Sequence, residues 1–527
     1  MPYVVCPICD TSVSVTEENC PECGERIRST PEDFIIKGKT LCEYTGDNPV
    51  AVIPDGVLYI GKDAFNSASH VEYVVIPEGV KKIAGKAFYE SDVSGIRIPS
   101  SVVSIGKEVF SGSVEIEVAE DNPVYHVCNG CLLETASKTL ICGNDHSVIP
   151  ADGSVTKIGD SAFSCCDGLT KIHIPESVMS IGKYAFCGCK ELTGIHIPRS
   201  VVHIGDNAFL FCSGLTEIYI PESVTSIGKY AFCACYKLTG IHIPRSVVHI
   251  GDGAFSACDP ERITVDPENP AYYAEGNCLI TKKSGKVIAG CKNSIIPKRS
   301  EWGYIRYIGN SAFFDRKITH ITIPTRVQRI GKHAFARCGE LETVKLPYHL
   351  KTIGEDAFSF CYKLESITIP GSVTSIDEGA FKYCESMKSV TIEYGVKIIG
   401  EGAFSSCLGL TEIQIPCSVT SIGKTAFCNC KGLKKMIIPE SVTSIGDHAF
   451  YKCLSLQSIT IPGSVTSIGD SAFCDCPKLT DIYYSGTCEQ WSKAKTDESE
   501  FIKRLGPYQK TVVHCCDGDI EIRYKYY

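Results

Sequence analysis

A unit of 23 residues, L-T-x-I-x-I-P-x-S-V-T-x-I-G-x-x-A-F-x-x-C, recurs along most of this 527-residue chain. Its phenylalanine marks the phase, at Phe65, Phe88, Phe110, Phe163, Phe186, Phe209, Phe232, Phe255, Phe313, Phe335, Phe358, Phe381, Phe404, Phe427, Phe450 and Phe473. Steps between them are 23 residues, twice 22, except where 110 jumps to 163 and 255 to 313. A chain of this length is too long for one globular core, but stacked coils grow without that limit. No coil can bury its own apolar side chains, so its neighbours must. Such a chain produces a long surface, and binding is a better expectation for it than catalysis.

In residues 215–232, LTEIYIPESVTSIGKYAF, the pattern puts Leu215, Ile218 and Ile220 inside and leaves Thr216, Glu217 and Tyr219 outside. Pro221 ends the short strand because it has no N–H to give a following ladder. Val224, Ile227, Ala231 and Phe232 supply further inward contacts, and Gly228 is expected to take a positive φ at the corner. Three residues after most phase phenylalanines comes a cysteine, as in Cys189, Cys212 and Cys235. Stacked coils put these thiols in a column about 4.8 Å apart with parallel side chains, which is poor disulfide geometry. The expectation is a reduced, buried ladder and a reducing compartment.

The I-P-x-S-V-T-x-I-G-x-x-A-F-x-x-C string resembles the BspA-like leucine-rich repeat family over about residues 33–484. The resemblance implies a repeat solenoid of α/β-type leucine-rich repeats, right-handed, of short parallel strands and turns, with a sheet on its concave side. It also implies mostly bacterial relatives, many of them secreted or surface adhesins. The repeat is expected over 55–484, with spliced hairpins near 120–142 and 267–291, where Asn122-Pro123-Val124-Tyr125 matches Asn269-Pro270-Ala271-Tyr272. Residues 31–54 read as a linker and N-terminal capping hairpin, and 485–527 as a C-terminal cap with a short helix and final strands.

Cys6-Pro7-Ile8-Cys9 and Cys20-Pro21-Glu22-Cys23 are paired C-P-x-C knuckles ten residues apart within residues 1–30. Zinc takes four thiolates tetrahedrally, and each C-x-x-C supplies two from one turn. A small zinc ribbon with structural Zn2+ on Cys6, Cys9, Cys20 and Cys23 is expected, the alternative being free or disulfide-bonded cysteines. Four protein ligands leave no open position for a substrate. Cys128, Cys131 and Cys142 offer a weaker second set; the sister insert lacks a counterpart of Cys128.

Net charge is −9, from 61 acidic and 52 basic residues, which argues against a general nucleic-acid or anionic-membrane binder. The N-terminus has no basic, then apolar, leader pattern, and no apolar run reaches about 18 residues. The expectation is a cytoplasmic monomer, with leaderless export left open. No G-x-S-x-G or H-E-x-x-H motif appears, and no enzymatic role is expected.

The outward position before the second Ile reads His173, His196, Tyr219, His242 in the middle coils, but Lys345, Thr368, Thr391, Gln414, Ile437, Thr460, Tyr483 later. Thr is the default of an exposed strand face. The His/Tyr row reads either as a partner-binding patch or as a relic of duplication, since 187–209 and 233–255 are nearly identical. Alternating Lys183, Asp206, Lys229 and Asp252 set opposite charges on adjacent coils, a register device worth about 0–1 kcal/mol per pair. The expected function is a protein- or peptide-binding scaffold using the concave face. The alternatives are a secreted or surface adhesin and a zinc-ribbon nucleic-acid regulator.

Overall fold

The computed structural model describes all residues except 1–2, Ile8, Asp10, Ser67, 495–509 and 524–527. The described chain falls into two compact units, residues 1–258 and 259–527, each built from coils of short parallel strands. Part of the expected C-terminal cap, 495–509 and 524–527, lies outside the described residues.

One coil shows how the repeat folds. Leu215, Ile218, Ile220, Val224, Ile227, Ala231, Phe232 and Cys235 are buried, while Thr216, Glu217 and Tyr219 are exposed. The coil holds two strands, Glu217–Tyr219 and Ser226–Ile227. They join separate parallel ladders, the first beside Gly194–His196, the second between His203–Ile204 and His249–Ile250. The rest is turns. The return leg is not helical, in keeping with the expected short parallel strands and turns, and among the described residues the one α-helix, Cys488–Ala494, lies outside the coils. The physical reason is local: Tyr230 (φ +53°) and Ala234 (φ +60°) are left-handed, one on each side of Phe232, and no right-handed helix passes through them. Their N–H groups instead reach the next coil, Tyr230 to the Asp252 carbonyl at 3.2 Å and Ala234 to that of Ser256 at 2.9 Å.

The glycine of the repeat does not do what was expected of it. Gly228 is absent from the positive-φ positions. A Cβ on it would lie 2.4 Å from the Asp206 nitrogen and 2.5 Å from the Gly205 carbonyl carbon, and Gly205 stands in the same relation to Gly182, and Gly182 to Gly159. The glycines let successive backbones touch; the corner is turned two residues later, by Tyr230.

Inside, the phenylalanines stack. Ring centroids of Phe163, Phe186, Phe209 and Phe232 are 5.2 Å apart at each step and the rings are nearly parallel. The stacks from Phe163 and from Phe313 begin over a glycine, since a Cβ on Gly143 or Gly290 would fall 2.1 Å from the ring, whereas Phe65 begins on Tyr44, with ring centroids 5.5 Å apart. Beside the rings runs the thiol ladder. Cys189, Cys212 and Cys235 donate their S–H groups to the carbonyls of Phe163, Phe186 and Phe209 at 3.1, 3.0 and 3.3 Å. Cys361, Cys384 and Cys407 do the same to Phe335, Phe358 and Phe381 in the second unit. Among the described residues no disulfide joins any of the 31 cysteines. After Phe313 the ladder cysteine is replaced by Arg316, buried, with its Nε donating to the Gly290 carbonyl at 2.7 Å.

Each run of coils opens on an antiparallel hairpin whose last strand starts a parallel ladder. Phe34–Lys37 and Thr40–Tyr44 lead to Tyr59–Ile60. Tyr125–Cys128, Cys131–Glu134 and Thr139–Cys142 lead to Lys157–Ile158. Tyr272–Glu275, Cys278–Thr281 and Lys286–Gly290 lead to Tyr307–Ile308. At the far end Lys510–Cys515 pairs with Asp481–Tyr484, and Trp491 of the helix is fully buried.

Candidate metal centre and partner face

The N-terminal ribbon begins with Tyr3–Val5 and Ser12–Ser14, paired antiparallel so that Val4 and Val13 face each other and are buried. Both cysteine turns close alike: Cys6 N–H donates to the Thr11 carbonyl at 2.9 Å, and Cys20 N–H to that of Glu25 at 2.7 Å. Gly24, with φ +78°, turns the chain after the second knuckle and donates to the Cys20 carbonyl.

These turns aim four sulfurs at one point. Cys6 and Cys23 Sγ are 3.5 Å apart, as are Cys9 and Cys20, and all four lie within 4.8 Å of one another. Metal–sulfur bonds of about 2.3 Å in a tetrahedron require sulfur separations of about 3.8 Å, so the donor set fits a thiophilic metal. Cys6 and Cys20 are buried, Cys9 and Cys23 exposed. The hydroxyl and amide of Thr11 pull the Cys9 thiol down to about 6. The Glu25 amide acts the same way on Cys23, but loss of water and the three neighbouring thiols outweigh it and push Cys23 up to about 12. A tetrad in which one thiol ionises readily and another resists reflects negative charges crowding together, which a cation relieves.

The ribbon is fastened to the first coils. Residues 29–33, where the ribbon meets the expected linker, are pinned: Ser29 N–H donates to the Val50 carbonyl at 2.8 Å, Val52 N–H to Ser29 Oγ at 2.8 Å, and Thr30 and Asp33 form a capping box around the turn Pro31–Asp33. Val4, Cys6, Val13, Cys20 and Ile27 share one buried cluster with Val50 and Tyr73 of the coils. The edge strand Val50–Val52 thus has a partner at its free side, as edge strands need.

The second predicted site lies on the strand face of the first unit. His173 bridges His196, and His196 pairs in register with Tyr219. His242 follows one repeat later in Gly240–Ile243. All four side chains are exposed, Tyr219 by 56%. Lys183 and Asp206 form the expected inter-coil pair at 3.2 Å.

The weaker cysteine set does not assemble. Cys128 and Cys131 are opposite each other in their hairpin, but Cys131 donates toward the Asn129 and Val148 carbonyls and Cys142 toward that of Gly143. Two groups that sequence reasoning missed do come together among the described residues: Cys488 with Cys515 and Asp517, and His333 with Glu355 and Asp356. Neither has a spacing motif. The first joins the terminal helix to the last hairpin, and the second joins adjacent coils through positions that elsewhere are not ligands.

The family described as BspA type leucine rich repeat region (6 copies) matches residues 43–152, 156–270, 306–434 and 398–496. No curated protein matches the chain. Among solved structures, a leucine-rich cell surface protein from Faecalibacterium prausnitzii is similar at 28% identity, covering 89% of this chain and 97% of that one, with a TM-score of 0.36. A leucine-rich repeat protein from Bacteroides ovatus is similar at 24% identity over 88% of this chain and 94% of its own, TM-score 0.36. One from Eubacterium ventriosum is 18% identical over 84% and 89%, TM-score 0.41.

Proposed function

The chain belongs to the BspA-type leucine-rich repeat family, and on that premise we propose that it is a non-enzymatic scaffold that binds a protein or peptide along the exposed strand face of its first unit. The observation that carries this reading is the row His173, His196, Tyr219 and His242, exposed on four successive coils where the second unit has the mixed set Lys345, Thr368, Thr391, Gln414, Ile437, Thr460 and Tyr483. Amphipathic aromatic side chains are the usual anchors of interfaces. Held on short strands, they lose little freedom on binding.

The tetrad Cys6, Cys9, Cys20 and Cys23 is assigned structural zinc. All-sulfur tetrahedral ligation suits that ion, and four protein ligands leave it closed to substrate. A reducing, cytoplasmic setting is supported by the ladder of S–H donors, each spent on a main-chain carbonyl. Oxidation would remove the donor and orphan the acceptor.

The test is capture of the native partner by the full chain, followed by Tyr219→Thr with His242→Thr. Loss of the partner with the fold intact supports the row as the site. Unchanged capture, with loss on substituting Lys345 or Gln414, moves the site to the second unit. Labelling of the chain on intact cells would favour a surface adhesin.

A further inference from the structure

Charge is unevenly distributed along the second unit. Residues 279–330 hold eleven Lys and Arg against two acids, a local net of +9 in a chain whose total is −9. The segments on either side are acidic: 259–278 has one basic and five acidic residues, and 331–380 five basic and seven acidic. Of the eleven, Arg316 is internal, and the others are at least partly exposed.

Within this basic stretch a small hairpin, Arg299–Ser300 paired antiparallel with Gly303–Tyr304, puts two aromatic rings at the surface. Trp302 is 47% exposed and Tyr304 42%. The Lys282 ammonium lies 4.1 Å from the centre of the Trp302 ring, and the guanidinium carbons of Arg299 and Arg326 each lie 5.4 Å from that of Tyr304. The hairpin is braced from behind. Ser300 Oγ donates to the Tyr273 hydroxyl at 2.8 Å, and Lys282 Nζ to the Asn269 carbonyl at 2.7 Å. Glu301 is the single acid on the hairpin.

We propose that this hairpin and its flanking arginines form a second docking surface, whose occupant is a short acidic peptide segment of a protein partner. Trp, Tyr and Arg are the residues that dominate interface energetics. A guanidinium resting against a ring keeps its N–H edge available, and that edge forks onto a carboxylate. Complementary charge steers an acidic segment to the patch. The extent of the patch decides against nucleic acid: a phosphate chain running past it along the sequence-adjacent coils meets acidic surface on both sides, whereas a short segment ends within the basic region. The proposal rests on the reading of the chain as a binding scaffold, but it is independent of the His/Tyr row.

The experiment is fluorescence anisotropy on the full chain with a short labelled peptide of alternating Glu and Leu, beside an oligothymidylate of equal charge. The peptide should bind, and should weaken about tenfold between roughly 50 and 200 mM salt. Trp302→Ala with Tyr304→Ala, and separately Arg299→Gln with Arg326→Gln, should each weaken it at least about tenfold. Circular dichroism checks that these surface variants fold. Tyr219→Thr with His242→Thr should leave peptide binding unchanged, which separates this surface from the row. Absence of peptide binding, indifference to both hairpin variants, or tighter binding of the oligothymidylate would overturn the proposal.

Discussion

A left-handed backbone at a residue that carries a Cβ costs of order 1–3 kcal/mol, yet Tyr230 and Ala234 both adopt it within one coil. The inter-coil hydrogen bonds hold them there. Gly188 fills the position of Ala234 two coils earlier, with φ +78°, so Ala234→Gly should be neutral or stabilising by up to about 1 kcal/mol. Gly228→Ala should do the reverse and cost about 1–3 kcal/mol or more, since the neighbouring backbone at 2.4–2.5 Å cannot yield as a side chain can. Phe232→Ala, opening a cavity in the ring stack, should cost about 3–5 kcal/mol. Thr225→Ala removes only an exposed bond to the Val202 carbonyl at 3.3 Å and should cost under about 1 kcal/mol. Urea melts of the four variants check all of this, and equal losses for Phe232 and Thr225 would contradict the inward and outward assignment. The inward residues were legible because Leu215, Ile218 and Ile220 repeat in phase. Gly228 was misread because a bare glycine looks the same in sequence whether it frees φ or clears space for a neighbouring backbone.

Among elements, the ribbon and the opening hairpins differ in how visible they were. The knuckles announce themselves by spacing alone, since Cys6, Cys9, Cys20 and Cys23 come as two C-x-x-C pairs whose sulfurs converge. Their attachment to the coils does not, because Val50 and Tyr73 read as ordinary strand residues until their outer neighbours, Val4 and Ile27, are in place. Cys488 and Cys515 were invisible for a similar reason: the contact joins a helix to a hairpin with no repeat between them. Metal binding and first-coil stability are therefore expected to be coupled. Cys9→Ser should abolish metal in elemental analysis and lower the melting temperature of the first unit, and a chelator should do the same to the native chain. Removing residues 1–30 should go further and cause concentration-dependent association, because Val50–Val52 becomes an open edge. A truncated chain as stable and soluble as the parent would show that the shared cluster contributes little.

At the scale of the molecule the thiol ladder makes stability depend on pH in an unusual direction. Burial pushes the Cys338 thiol up to about 12, and those of Cys361 and Cys407 well above their ordinary value. In the unfolded chain they ionise near 8.5. Below that pH both states keep the proton and the contribution is complete. Above it the unfolded state sheds protons that the folded state retains, and each thiol removes about 1.4 kcal/mol per pH unit until its folded value is reached. Circular dichroism under reductant should show steep unfolding above about pH 9 and little change from pH 6 to 8; a flat profile to pH 11 would contradict a protonated ladder. The parallel strands that carry the His/Tyr row have one more effect, on the length of what can lie across them. Strands repeat about every 4.8 Å, whereas a helix laid along the axis repeats every 5.4 Å. The two scales act as a vernier, slipping about 0.6 Å per coil. From His173 to His242 the slip totals about 1.8 Å, small enough for side chains to absorb, and two coils further it reaches half a helical turn. A helical guest can stay in step with four coils but not with many more, so a longer solenoid would gain no longer grip.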